Sequence, residues 1–211
     1  MIRPFLDRLP LIAILRGVTP EEVLPIGRVL VAAGFAIIEV PLNSPRPLES
    51  IALLRQTLGE SVLVGAGTVT TVEAVGAVAA AGGRIIVMPH SDPAVVRAAK
   101  AAGLVCTPGI ATPTEGFTAL ANGADALKLF PAELLTPAVL KAMRSVFPRE
   151  TMFLPVGGIG PGSMADYVAA GAAGFGLGSA LYKPGATAPE VATNARAFVR
   201  AWDALNGKTA C

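Results

Sequence analysis

The feature that most limits what this chain can fold into is a repeat. From Leu11 onward, a short apolar run, a turn containing Gly, Thr or Pro, an amphipathic segment with a marked start and a glycine near its end recur about eight times in 211 residues. The apolar runs read as strands at 11–15, 35–40, 62–65, 84–88, 104–106, 124–130, 152–156 and 174–178. Helix starts carry chemical labels. Thr19-Pro20-Glu21-Glu22 and Thr112-Pro113-Thr114-Glu115 each combine an N-cap threonine, a proline at the first helical position and a glutamate that can reach back to the cap. Ser44, Thr70, Asp92, Thr136 and Thr187 mark weaker versions. Gly34, Gly59, Gly82, Gly103, Gly123 and Gly171 sit where helices must stop, as the left-handed residue of a C-cap does.

Strands that alternate with helices and are nearly continuous in apolar residues are parallel strands covered by helices. About eight such units predict an α/β protein of the TIM (β/α)8 barrel type, one domain over residues 1–211, in preference to an open doubly wound sheet. Gly65-Ala66-Gly67-Thr68 lacks the third glycine of a dinucleotide fingerprint, which argues against a Rossmann reading.

Composition narrows the class further. Hydrophobic residues make up 53% of the chain and charged ones 15%, yet no apolar run approaches the roughly 18 residues of a membrane span, so the apolar content is core. Met1 to Pro10 carries Arg3, Asp7 and Arg8 and lacks the pattern of a secretory leader, which leads us to expect a cytoplasmic protein. The net charge of +2 is spread without a basic run, and no nucleic-acid partner is expected. Only Cys106 and Cys211 are present, too few for a disulfide framework, and a single histidine, His90, argues against a transition-metal centre.

Within Ala126-Leu127-Lys128-Leu129-Phe130-Pro131 a lone lysine interrupts an apolar strand. Desolvation disfavours its charged form and yields a nucleophilic amine near neutrality, which is the chemistry of a Schiff-base lysine. The competing reading is a lysine whose stem packs in the wall while its ammonium reaches water. Glu39 is similarly placed among Ile37, Ile38 and Val40. Alternate strands of a barrel share one inward layer, so Glu39 and Lys128 are expected to face each other across its mouth, either as a working pair or as a structural ion pair. Other polar residues at strand ends are Arg16, Asn43, Thr68 and His90. Arg16 could clamp a carboxylate with Thr68 assisting, or stand solvated on the rim, and His90 reads as a loop residue facing solvent. Gly157 with Gly158, and Gly178 with Ser179, follow the last two strands, where TIM barrels frequently hold phosphate; glycine there is first of all a turn residue, and the pair of turns is what suggests an anion site.

Leu-Ile-Ala-Ile-Leu-Arg-Gly (11–17), Glu-Val-Pro-Leu-Asn-Ser-Pro (39–45), Gly-Ala-Gly-Thr-Val (65–69), Leu-Lys-Leu-Phe-Pro (127–131), Val-Gly-Gly (156–158) and Leu-Gly-Ser (177–179) together resemble the class I 2-keto-3-deoxy-6-phospho-sugar-acid aldolases. The resemblance runs from Leu11 to about Tyr182. It implies a cytoplasmic homotrimer of TIM barrels that cleaves a phosphorylated keto-sugar acid to pyruvate and glyceraldehyde 3-phosphate with no metal or other cofactor. It makes Lys128 the imine-forming lysine and Glu39 the proton shuttle, gives Arg16 and Thr68 the keto-acid end, and gives Gly157, Gly158, Gly178 and Ser179 the phosphate. Segments 39–45 and 155–158 look like the galactonate branch, whereas Phe130-Pro131-Ala132-Glu133 resembles the gluconate branch. Val156 stands where a threonine could hydrogen-bond a substrate hydroxyl, so it bears on the C4 configuration preferred. Rival readings are a phosphate-binding barrel isomerase or thiamine-phosphate-synthase-like transferase, and a non-catalytic sugar-phosphate-binding barrel.

Overall fold

The structure, a computed structural model, describes residues 1–205 and Gly207. Among these residues the strands are β1 (Leu11–Ile14), β2 (Ile37–Pro41), β3 (Leu63–Gly67), β4 (Ile85–Val87), β5 (Val105–Thr107), β6 (Gly109–Ile110), β7 (Leu127–Leu129), β8 (Phe153–Pro155) and β9 (Phe175–Leu177). All pairings are parallel. They form a curled six-stranded sheet in the order β5-β4-β3-β2-β1-β9 and a three-stranded sheet in the order β6-β7-β8. The α/β class and the parallel strands expected from the alternation are present. The hydrogen-bonded ladder, however, is divided in two, where an uninterrupted barrel was expected.

Both divisions occur at prolines. β5 and β6 are one stretch of chain broken at Pro108, which has no N–H to continue a ladder. The Asp125 carboxylate accepts the Cys106 N–H at 2.9 Å and holds Lys100 Nζ at 2.5 Å, while the Asp125 N–H donates to the Cys106 carbonyl, so side chain and backbone together join this edge to the segment before β7. At the other division, Val156 N–H donates to Leu129 of β7, so the neighbouring position 155 would have to donate toward β9, and it is a proline. A single parallel bridge, Val156 to Gly176, and one bond from Ala173 N–H to the Phe153 carbonyl connect β8 with β9.

Alternation along the strands separates two apolar cores. Leu11, Ala13, Ile38, Val40, Ile86, Cys106, Leu127 and Leu129 pack outward against the helices. Ile12, Ile37, Leu63, Ile85, Val105, Ala126 and Leu154 point the other way into a second cluster, closed at the N-terminal ends of the strands by Ile2 and Leu6 around the short helix α1 (Arg3–Leu6), an element absent from the sequence reading. Each buried Val, Leu or Ile among them contributes about 1.5–3 kcal/mol by leaving water. Polar side chains on this inner face therefore need a reason.

The helix labels hold in most places. Glu22 accepts the Thr19 N–H at 3.1 Å and Glu115 that of Thr112 at 2.9 Å, ahead of α2 (Pro20–Ala32) and α6 (Pro113–Ala121). The six glycines expected to end helices all have positive φ. Two starts differ. The helix after β3, α4 (Val72–Ala80), is capped by Thr71, one residue beyond Thr70. The helix after β2, α3 (Pro47–Leu58), follows Arg46 rather than Ser44, whose hydroxyl instead accepts the Gly17 N–H at 2.9 Å and ties the loop after β1 to the loop after β2. No helix among the described residues is long and apolar enough to cross a membrane. Cys106 is a buried free thiol, and Cys211 lies outside the described residues.

Candidate active site

Parity places the chemistry. Ile37 points into the inner cluster and Ile38 away from it, so Glu39 points inward; Leu127 and Leu129 point outward, so Lys128 points inward. Both are nearly inaccessible, at 2% and 6% exposure. They are not an ion pair: no salt bridge among the described residues includes either. Glu39 Oε2 is buried without a hydrogen-bond partner. Burial pushes the Glu39 carboxyl up to about 7, against the opposing pull of the Lys128 and Arg16 charges. Burial likewise lowers the Lys128 pKa, opposed by the Glu39 charge and reinforced by Arg16. Lys128 Nζ lies 4.6 Å from the centre of the Phe130 ring.

Space for the Glu39 carboxylate is made by a glycine. A Cβ on Gly67 would stand 1.7 Å from Glu39 Oε2, so only glycine at the end of β3 lets the carboxylate lie where it does. The sequence reading missed this role; its trace was the Gly65-Ala66-Gly67 run ending a strand that otherwise carries bulky residues. Thr107 on β5 shares the inward parity of Val105, and its hydroxyl is a further buried polar atom without a partner.

A cavity of about 580 Å³ opens at Lys128, and Glu39 lies outside its lining. It brings together Arg16, Lys128, Gly157, Gly158, Gly178 and Ser179 from loops that are distant in sequence. Thr68 stands beside it, joined through Arg16, which donates to Asn43 Oδ1 at 2.6 Å and makes a longer contact to Thr68 Oγ1 at 3.5 Å. Thr68 has φ 57°, a conformation β-branched residues rarely adopt and one that marks functional sites. Asn43, noted above only as polar, is thus the closest partner of the Arg16 guanidinium.

At the far end of the cavity, Gly157 and Gly158 have φ 110° and 62°, which places their turn in a conformation suited to glycine. After β9 the chain makes a tight turn in which the Gly178 carbonyl accepts from Leu181 and Tyr182. The N–H groups of Gly158, Ser179 and Ala180 donate to no protein acceptor among the described residues, while the Gly157 N–H faces β9 at the Val156–Gly176 bridge. Val156 and Ile14 line the wall between this end and Lys128. Lys183 and Glu133, not singled out above as site residues, also line the cavity. His90 is exposed and outside the cavity lining; its carbonyl accepts the Gly109 N–H at 3.1 Å.

A protein-family model described as KDPG and KHG aldolase matches residues 2–193. A Rhizobium meliloti protein described as a probable 2-dehydro-3-deoxy-6-phosphogalactonate aldolase is 46% identical over 198 residues, covering 94% of this chain and 93% of that one. A solved structure described as native KDPGal superposes with a TM-score of 0.93 at 44% identity, covering 95% of this chain and 97% of that one. A Legionella pneumophila KDPG aldolase, solved with pyruvate captured as a covalent carbinolamine intermediate, superposes with a TM-score of 0.81 at 27% identity, covering 95% and 96%.

Proposed function

Because the chain belongs to the KDPG and KHG aldolase family, and is therefore a lyase, we propose that it is a class I enzyme cleaving 2-dehydro-3-deoxy-6-phosphogalactonate reversibly to pyruvate and D-glyceraldehyde 3-phosphate through an imine on Lys128. The observation that carries this reading is that Lys128 and Glu39 are buried on the same inner face without pairing, and that Lys128 lines a cavity whose far end presents unpaired backbone N–H groups.

Neutral Lys128 attacks the C2 ketone to give a carbinolamine, which loses water to form a protonated imine. The C3–C4 bond then breaks with its electron pair flowing into the imine, leaving an enamine, while Glu39 takes the C4 hydroxyl proton, directly or through water, and the aldehyde departs. Glu39 returns a proton to C3, and water releases pyruvate. A carboxyl with a pKa of about 7 is matched to giving and taking protons near neutrality. Arg16, held by Asn43, and Thr68 bind the carboxylate of the keto acid; the N–H groups around Gly157, Gly158, Gly178 and Ser179 bind phosphate. Fixing both ends aligns the C3–C4 bond between Lys128 and Glu39.

The two sheets act as one closed eight-strand barrel in this reading, with β5 and β6 counted together. Advancing one residue per strand along the registers, extended by a residue at the two prolines, leads from Glu39 through Val87, Lys128 and Gly176 back to Glu39. Eight steps of one residue match the stagger of a TIM barrel and put Glu39 and Lys128 in one inward layer of alternate strands. The galactonate assignment is favoured by the identity to the Rhizobium relative and by Val156, whose inward side chain offers a C4 hydroxyl no partner. Cleavage of the gluconate epimer is the second reading, favoured by Phe130-Pro131-Ala132-Glu133. A single cytoplasmic domain assembled as a homotrimer completes the proposal, on family resemblance.

The test is incubation with pyruvate and sodium borohydride, followed by intact-mass measurement and peptide mapping, with Lys128→Met as control. A reduced adduct on Lys128, absent in the folded and inactive variant, is expected. No adduct, or substantial turnover by Lys128→Met, would overturn imine chemistry and favour a phosphate-binding barrel enzyme of another class.

A further inference from the structure

Glu133 stands where an anion site should not have a carboxylate. A Cβ on Gly157 would lie 2.3 Å from Glu133 Oε2, and one on Gly158 would lie 2.9 Å from Glu133 Cγ, so this side chain occupies the space directly over the Gly157–Gly158 turn. The same turn carries the unpaired Gly158 N–H at the phosphate end of the cavity, which Glu133 also lines. The backbone beneath Glu133 is fixed: the Tyr167 hydroxyl donates to the Ala132 carbonyl at 2.8 Å and contacts the Leu135 carbonyl at 3.3 Å. The Glu133 side chain is exposed and forms no hydrogen bond or ion pair among the described residues, so it is held by packing against the glycines and by nothing directional.

We propose that Glu133 is a specificity-determining residue that sets how tightly the cavity holds a phosphate-bearing ligand, its negative charge opposing the dianion at the Gly157–Gly158 turn. The inference rests on the phosphate reading of that turn given above. A dianion and a carboxylate cannot share this space: the side chain must swing aside when phosphate enters, and the residual repulsion lowers affinity and speeds release of the phosphorylated product. Gly157 and Gly158 serve both occupants, since any side chain there would collide with Glu133 as well as obstruct the N–H groups.

Inorganic phosphate is the probe, titrated calorimetrically and as an inhibitor of turnover, on the wild type, Glu133→Gln and Glu133→Ala. Glutamine keeps the bulk and removes the charge; alanine removes both. Both variants should bind phosphate about three- to tenfold more tightly, and the gain should shrink as salt rises, because a partly exposed charge is screened. The KM for glyceraldehyde 3-phosphate in the condensation direction should fall by a similar factor while that for pyruvate stays put. Unchanged or weaker phosphate binding by Glu133→Gln overturns the proposal: a gain confined to Glu133→Ala would assign the effect to bulk, and a loss in both variants would make Glu133 a support of the anion site rather than its opponent. Absence of phosphate binding and inhibition in all three proteins would instead remove the phosphate reading itself.

Discussion

Replacing Glu39 with glutamine should make the protein more stable and far less active, and the stability gain should depend on pH in a direction set by burial. The Glu39 carboxyl titrates near 7 in the folded chain, against a usual value of 4.5, because the inner face takes it out of water and leaves Oε2 without a partner. Below about pH 4.5 both folded and unfolded chains hold the proton. Between 4.5 and 7 the folded chain keeps a proton that the unfolded chain has lost, so stability falls as pH rises through this window and stays low above it. A rise from 4.5 to about 7 corresponds to about 3 kcal/mol. Glutamine resembles the protonated carboxyl, so Glu39→Gln should unfold almost with the wild type at pH 4.5 and be about 3 kcal/mol more stable at pH 8, about 6–12 °C in melting temperature for a chain of this size. Urea unfolding of both proteins at the two pH values measures it. An equal gap at both values, or none, would refute the reasoning, since neither is compatible with a desolvated carboxylate as the source. In the same variant turnover should fall by about two to four orders of magnitude, while Lys128, deprived of the charge that raises its pKa, should still form the imine with pyruvate.

Further outcomes follow from single contacts. Gly67→Ala would place a methyl 1.7 Å from Glu39 Oε2 and push the carboxylate aside; turnover should fall about a hundredfold or more with the borohydride adduct retained, and full activity would show that the position of Glu39 is not critical. Asn43→Ala removes the 2.6 Å partner of Arg16, and the pyruvate KM in condensation should rise about three- to tenfold with a smaller change in kcat; the reverse pattern would place Asn43 in the chemical step. Val156→Thr puts a hydroxyl on the cavity wall and should move the ratio of kcat/KM for the galactonate and gluconate substrates about tenfold toward gluconate; an unmoved ratio would remove position 156 from C4 discrimination.

Much of this was legible in sequence because the signals are local. Apolar strand runs, threonine caps answered by glutamates, and helix-ending glycines each depend on a few neighbouring residues, and the parallel α/β class follows from their alternation. Lys128 and Glu39 were visible because a charge inside an apolar strand is anomalous wherever the strand goes. The start of α3 was misread for a non-local reason: the Ser44 hydroxyl is spent on the Gly17 N–H of a different loop. The divided ladder was misread because Pro155 lies inside a run that reads as a strand and Pro108 lies just beyond one that ended too early, and which neighbour each missing N–H faces depends on the sheet.

What the sequence by itself determined is the repeating strand–helix unit, the turns that end each helix, and the presence of a desolvated lysine and a desolvated glutamate. Only the tertiary structure decided that these two point into the same interior without pairing, that Gly67 vacates the space in which the glutamate lies, that Asn43 holds Arg16, and that Glu133 covers the Gly157–Gly158 turn. The physical reason is range. Backbone propensity and capping act over a few residues, whereas burial, and with it the proton affinity of Glu39 and Lys128, is set by side chains from strands that meet only when the sheets curl.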